Sequence, residues 1–132
     1  MTITKQPFGT TSDGQDAWLF CLKNSEGAYV TVTSYGCRIE NICVPDRSGQ
    51  LRDICLGYDT LAGYENDTAS FGAVVGRHAN RIEKGEFTLN GVTYHLAVNN
   101  GPNHLHGGLR GFHYYNWNAQ IIGNSVRFSR VS

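Results

Sequence analysis

The chain has 132 residues, which is enough for one modest domain and too few for two. Eleven Lys and Arg balance eleven Asp and Glu, and only 17% of the residues are charged, against about 25% in an average domain. This composition excludes an electrostatic nucleic-acid binder and a polybasic membrane binder, and a hydrophobic content of 40% excludes an intrinsically disordered chain. We therefore expect no nucleic-acid partner and no membrane partner.

The N-terminal sequence MTITKQPFGT contains no apolar run of the kind found in signal peptides, and no stretch of the chain approaches the ~18 apolar residues of a membrane span. We therefore expect a soluble, cytoplasmic protein. The cysteines form no CxxC pair and no zinc-ribbon spacing. Each of the four lies in an apolar or β-like context, which predicts buried, reduced thiols: Cys21, Cys37, Cys43 and Cys55.

Strand-like runs alternate with turn signals along the first half of the chain. Sixteen glycines with only three prolines favour short strands joined by tight turns. The sequence predicts strands at residues 17–23, 28–34, 37–44 and 53–56. Residues 58–70 are the least β-like part, and they are compatible with one helical turn around Leu61.

The second half carries the clearest local signal. Asn90-Gly91 lies between alternating runs at 86–89 and 92–96, which predicts a hairpin with a type I′ turn. A last hairpin is predicted from residues 115–122 and 125–131, around Gly123-Asn124. No long stretch has the 3.6-residue period of a helix, so we predict an all-β fold.

Two segments break the strand pattern and are rich in polar residues: GRHANRI at 76–82 and NNGPNHLHGG at 99–108. All five histidines fall between His78 and His113, and eight of the eleven asparagines lie at or after Asn80. Turns explain part of the asparagine enrichment, since Asn is a common turn residue. Turns do not explain the histidine clustering, which indicates a functional site.

The first segment offers groups that suit a carbohydrate. The guanidinium of Arg81 is a planar set of donors that matches paired oxygens such as vicinal hydroxyls, and the neighbouring Asn80 supplies both a donor and an acceptor. Sugar hydroxyls also donate and accept. The alternative is an ordinary surface ion pair of Arg81 with Glu83 or Glu86.

The second segment contains His104-Leu105-His106. In an extended segment both imidazoles would share one face, as two metal ligands could. A third ligand is needed for a usual metal site, and no Asp or Glu follows His106 in the chain, so we expect no metal. The alternative is that His106 hydrogen-bonds a substrate hydroxyl while His104 is held inside a turn.

One long run of the sequence is similar to a known protein family. The run from Gly72 to Trp117 is GAVVGRHANRIEKGEFTLNGVTYHLAVNNGPNHLHGGLRGFHYYNW, and it resembles the N-terminal part of the aldose 1-epimerases, or galactose mutarotases. The pair GRxANRI and NxLHGG is highly specific. Earlier pieces are also similar, namely Val44-Pro45-Asp46 and the run DICLGYD at 53–59, so the resemblance covers nearly the whole chain.

This resemblance implies a β-supersandwich that binds a hexopyranose and interconverts its α and β anomers without a cofactor. It assigns Asn80, Arg81 and His106 to the sugar pocket. In the family a Glu takes the proton of the anomeric hydroxyl and a His protonates the ring oxygen, which opens the ring. Reclosure from the other side gives the other anomer.

The family's catalytic His and Glu lie beyond the segment that ends at Ser132, so no catalytic residue is assigned here. Residues 1–132 are thus interpreted as one partial domain, the N-terminal portion of a mutarotase. Two hypotheses remain: a mutarotase chain that lacks catalytic groups, or a non-catalytic carbohydrate-binding or regulatory module. Unpaired strand edges, foremost at 125–131, predict self-association.

Overall fold

The computed structural model describes residues 1–132, and its main element is a five-stranded antiparallel sheet. The strands follow each other in sequence order, so each pairs with its chain neighbours. They are β1 (Thr2–Thr10), β2 (Asp16–Lys23), β3 (Tyr29–Thr33), β4 (Ile39–Pro45) and β5 (Leu51–Asp53). This arrangement results from short turns, which can only join antiparallel neighbours.

One short helix, α1 (Leu61–Glu65), covers part of this sheet. Thr60 caps it, with its hydroxyl accepting from the backbone N–H of Gly63 at 3.3 Å. The helix buries Leu61 and Tyr64 against Ala17 of β2 and against Tyr35, which follows β3. The helical turn expected around Leu61 is therefore confirmed, and no helix of the chain has the length and apolar content needed to cross a bilayer.

Three two-stranded ribbons contain the remaining strands, and three short 3₁₀ helices lie between these strands, at Glu83–Gly85, Gly108–Arg110 and Phe112–Tyr114. The ribbons pair β6 (Arg81–Ile82) with β9 (His104–Leu105), β7 (Glu86–Leu89) with β8 (Val92–His95), and β10 (Asn118–Ile122) with β11 (Ser125–Ser129). The β7–β8 turn has positive φ at both Asn90 (51°) and Gly91 (80°), as a type I′ turn requires. The predicted hairpin is confirmed, and the chain is mostly strand as expected.

Some sequence predictions are corrected. The strand predicted at 53–56 is wrong, because β5 ends at Asp53, whose carboxylate accepts from the backbone of Ile42 and Cys55 and so ends the ladder. Strand β1 was not predicted, since most of its residues are exposed and give no apolar alternation. The strand predicted to begin at Cys37 begins at Ile39 instead, because Cys37 has a left-handed φ of 49°.

The cysteines are free in the structure. Cys37 and Cys43 are buried, as predicted. Cys21 and Cys55 are only half-buried, so the expectation of a buried thiol is wrong for these two. Burial raises the pKa of the Cys37 thiol to about 12, which keeps this side chain neutral and unreactive at physiological pH.

A buried ion pair joins the sheet to the loops beyond it. Arg38 and Asp67 form a salt bridge, and both side chains are 0% exposed. Asp67 also accepts from the Tyr58 hydroxyl at 3.0 Å and from the Ala69 N–H at 2.8 Å. Burial opposes ionisation of Asp67, but the guanidinium and these two donors outweigh it and lower the pKa of the carboxyl below its usual value.

The Arg38 guanidinium also reaches two backbone carbonyls, one through the nitrogen that pairs with Asp67 and one through the other terminal nitrogen. It donates to Phe71 at 3.3 Å and to His113 at 3.4 Å, and the Tyr114 hydroxyl donates to the Asp67 carbonyl at 3.0 Å. Arg38 lies directly before β4, so its buried side chain links this strand to the segment after α1 and to the segment around residue 113. A buried charge needs such partners, since leaving it unpaired is costly.

His113 is buried next to this pair. Its Nδ1 has no hydrogen-bond partner, so a protonated imidazole would carry a buried, unpaired N–H. Burial, together with the nearby Arg38 charge, lowers the pKa of His113 to about 4. The folded protein therefore holds this histidine in its neutral form.

We predict that Asp67→Ala lowers the free energy of unfolding by about 3–5 kcal/mol, because it leaves the Arg38 guanidinium buried without its counter-charge. Urea denaturation monitored by circular dichroism measures this. The matched control is Arg52→Ala, which removes an exposed ion pair with Asp46 and should cost less than about 1 kcal/mol. Equal losses in the two variants would show that the buried pair does not organise the fold.

We also predict that stability falls as the pH is lowered from 6.5 towards 4. In that range the unfolded chain protonates His113 while the folded chain does not, so His113 contributes up to about 1.4 kcal/mol per pH unit to the slope. His113→Phe should remove this contribution, and His95→Gln, at an exposed histidine, should retain it. Unfolding curves at several pH values test this, and an unchanged slope in His113→Phe contradicts it.

Candidate functional site

The β6–β9 ribbon brings the three predicted site residues together. Arg81 pairs with Leu105, so Asn80 and His106 meet just beyond the end of the ribbon. The Asn80 N–H donates to Nδ1 of His106 at 3.0 Å, and the His106 N–H donates to the Asn80 carbonyl at 3.1 Å. These two bonds fix the two polar loops to each other.

Both residues have left-handed backbone conformations, with φ of 65° at Asn80 and 51° at His106. Asn tolerates this conformation well, whereas it is uncommon for His. Segment 104–106 is consequently not extended throughout, so the condition under which both imidazoles would share one face is not met. The following Gly107, with φ of 87°, allows the turn, because a Cβ there would overlap the Gly76 carbonyl oxygen.

The hydrogen bond to Asn80 also assigns the His106 tautomer. Nδ1 accepts a hydrogen bond from a backbone N–H, so the ring proton of the neutral imidazole must be on Nε2. His106 is half-buried and can present Nε2–H as a donor to an oxygen of a ligand. It can orient a hydroxyl without changing its own charge.

His104 has a different position. Its side chain is buried, with the residue 6% exposed, and Nδ1 lies 2.8 Å from the carbonyl oxygen of Ala97, to which it must donate. It therefore ties β9 to the preceding loop, as expected for a histidine held inside a turn. No group of three or more His, Cys, Asp or Glu side chains in the chain is arranged to hold a metal ion.

Arg81 is exposed and makes no ion pair with Glu83 or Glu86, so the surface-pair alternative is wrong. Its Nε donates instead to Oδ1 of Asn100 at 2.9 Å, and one terminal nitrogen lies 3.5 Å from Oδ1 of Asn80. A neutral amide thus holds the guanidinium, and its positive charge has no carboxylate partner.

Two further asparagines that sequence reasoning missed hold the site loops. Asn99 accepts from the Leu105 N–H at 2.7 Å and donates to the Leu105 and Gly108 carbonyls at 2.9 and 3.1 Å. Asn103 accepts from the Lys84 N–H at 3.1 Å. The signal in the sequence was the asparagine enrichment, which turn formation explains only in part.

His106 lines a cleft of about 440 Å³, a size suited to a small-molecule ligand. Asn100 and Tyr114 also line it, whereas Asn80 and Arg81 do not, and its lining contains no Asp or Glu. A second cleft of about 450 Å³ is lined by His78 and His104 together with Arg77 and Arg110, and by none of the three predicted site residues. The histidine cluster of the sequence is therefore divided, with His95 exposed on β8 and His113 buried.

Comparisons with known proteins agree with this fold. A family model described as aldose 1-epimerase matches residues 19–132. Galactose mutarotase of Bos taurus is 46% identical over 132 residues, which are all of this chain and 39% of that protein. Aldose 1-epimerase of Escherichia coli (strain K12) is 36% identical over 115 residues, 87% of this chain and 33% of that protein. The chain thus spans well under half the length of these relatives.

Solved structures show the same β architecture. A crystal structure of a GalM/aldose epimerase homologue from C. elegans has a TM-score of 0.78 and 36% identity, and covers 83% of this chain and 34% of that one. Galactose 1-epimerase from Lactobacillus acidophilus NCFM has a TM-score of 0.75 at 23% identity, covering 92% of this chain and 35% of that one, which supports the fold alone. The predicted mutarotase-like β fold is confirmed, and the chain belongs to the aldose 1-epimerase family.

Proposed function

We propose that this chain supplies part of the sugar-binding site of a mutarotase that interconverts α and β anomers of hexoses such as galactose and glucose. The observation that carries the proposal is the juxtaposition of Asn80, Arg81 and His106, with two reciprocal hydrogen bonds between the first and the last. The guanidinium has no carboxylate partner, so its charge is free to engage ligand oxygens. Family membership supplies the substrate class.

The chemistry requires one acid and one base at a single acetal carbon. A base removes the proton of the anomeric hydroxyl, the bond between the anomeric carbon and the ring oxygen breaks, and an acid protonates that oxygen. The residues of this chain bind and orient the sugar: the terminal nitrogens of Arg81 and Nε2–H of His106 donate to hydroxyl oxygens. No carboxylate lines the cleft with His106, so the base has to come from outside it.

That last observation also favours a second candidate function. A chain that has hydrogen-bond donors for a sugar and no carboxylate in the cleft could act as a non-catalytic carbohydrate-binding or regulatory module. Binding without turnover by the 132-residue chain would fit both proposals. The two differ in what happens when the remaining part of a relative is supplied.

Three further points stay predictions. We propose that residues 1–132 form one partial domain, and that the protein works in the cytoplasm, where free thiols such as Cys37 persist.

We also propose that copies associate through exposed edges and apolar side chains, since Ile121, Ile122 and Val131 are all exposed near β11. Light scattering tests the last point, and a strictly monomeric chain contradicts it.

Polarimetry on freshly dissolved α-galactose tests the proposed reaction. We expect the 132-residue chain to show no mutarotation above background, because no carboxylate lines the cleft with His106 and one proton-transfer group typically contributes ~10²- to 10⁴-fold. A chimera that joins residues 1–132 to the remaining part of the bovine relative should be active. In it, Arg81→Ala and His106→Ala should each lower kcat/KM at least about tenfold, since each removes a hydrogen bond to the sugar.

His104→Ala is the matched control in the chimera. Because His104 bonds the Ala97 carbonyl and is buried, its removal should lower the melting temperature more than it lowers kcat/KM at a temperature where the protein is folded. An equal loss of kcat/KM in His104→Ala and His106→Ala would contradict the assignment of the sugar-facing histidine. An inactive but sugar-binding chimera would favour the binding-module alternative.

A further inference from the structure

The side chain that bonds Nε of Arg81 is Asn100, which lies in the polar segment 99–108 but to which neither the sequence motifs nor the family resemblance assigns a role. We propose that Asn100 is a positioning residue for the sugar site, fixing the Arg81 guanidinium so that its two terminal nitrogens face the ligand. This inference rests on the proposed sugar-binding function. The geometric part of it, that Asn100 holds Arg81, stands on the structure alone.

The hydrogen bond fixes the orientation of both partners. Nε–H of Arg81 can only donate, so the atom of Asn100 that lies 2.9 Å away must be the amide oxygen. An arginine can bind paired oxygens through Nε and one terminal nitrogen, or through both terminal nitrogens. Because Nε–H is bonded to Asn100, the ligand can bind only through the two terminal nitrogens. These two nitrogens suit a pair of vicinal hydroxyls that face the outer edge of the guanidinium.

Asn100 is itself rigidly held. Its N–H donates to the Asn103 carbonyl at 3.0 Å, and the Asn103 N–H donates back to the Asn100 carbonyl at 2.9 Å. Asn99, the preceding residue, ties the same loop to Leu105. A side chain on such a turn can restrict a flexible arginine that is otherwise exposed, and an arginine ordered before binding loses less conformational entropy when the ligand arrives.

Asn100 also connects Arg81 to the cleft. Asn100 lines the cleft of about 440 Å³ together with His106, and its side-chain oxygen bonds Arg81 of β6, which does not itself line the cleft. With its oxygen directed at Nε, the amide NH₂ group of Asn100 has no hydrogen-bond partner within the protein. The loop residue therefore orders the guanidinium and keeps a donor available at the same cleft.

The test uses the ¹⁵N-labelled 132-residue chain and nuclear magnetic resonance. The Nε–Hε signal of Arg81 reports its hydrogen bond, and titration with D-galactose reports binding. We expect Asn100→Ala to speed exchange of Nε–Hε with solvent and to weaken galactose binding about tenfold, without shifting the Asn80 and His106 amide signals of the free protein. Asn100→Ser, whose hydroxyl is too short to reach Nε, should behave in the same way.

Asn100→Asp keeps an acceptor oxygen in place, so it should restore slow Nε–Hε exchange; because its carboxylate also pairs with the guanidinium charge, galactose affinity should lie between those of Asn100→Ala and the wild type. Asn118→Ala is the matched control, since Asn118 is exposed on β10 and should change neither measurement. A purely structural role of Asn100 would move the melting temperature and the Asn80 and His106 amides together, and would not be rescued by Asp.

The outcomes separate the two proposals. If Arg81 exchange is the same in Asn100→Ala and the wild type, the positioning role is overturned. If exchange rises and galactose affinity does not change, Asn100 holds Arg81 but the sugar does not use it, and the inference is again overturned. If the wild type binds no galactose while Asn100→Ala still frees Arg81, the proposed function fails and the pairing of Arg81 with Asn100 holds.

Discussion

The buried ion pair between Arg38 and Asp67 is the constraint on which the remaining structure depends. Neither charge has access to solvent, so its partners are protein groups, which reach every polar atom of the pair except Nε of Arg38. The groups that do so come from three parts of the chain: Tyr58 and Ala69 near α1, the carbonyl of Phe71, and the carbonyl of His113. The sheet and the loops are thereby fixed to one another by a single polar centre.

The same ion pair positions part of the walls of the cleft beside His106. These walls include residues 68–70, which directly follow Asp67, together with His113, whose carbonyl accepts from Arg38, and Tyr114, whose hydroxyl donates to the backbone carbonyl of Asp67. The opposite wall comes from the asparagine-rich loop and β9. The β6–β9 ribbon has only two residues in each strand and could not be stable alone, so side-chain bonds from Asn99 and Asn103 supply what the short ladder lacks.

The sequence could predict the features that depend on neighbouring residues. The Asn90-Gly91 turn, the helical turn at Leu61 and most strands follow from local patterns, and the specific motifs identify the family. The site geometry depends on pairs that are far apart in sequence, such as Arg81 with Asn100 and Asn80 with His106. The left-handed conformation of His106 has no local signature, so the sequence alone could not decide whether residues 104–106 are extended.

The central claim is that a hexose contacts the chain at Asn80, Arg81 and His106. Titration of the ¹⁵N-labelled chain with D-galactose, followed by two-dimensional nuclear magnetic resonance, tests it most directly. The account predicts saturable shifts centred on the backbone amides of these three residues and on Nε–Hε of Arg81. Shifts confined to Arg77, His78 and Arg110 in the other cleft, or no saturable shift up to the solubility limit of the sugar, would contradict it.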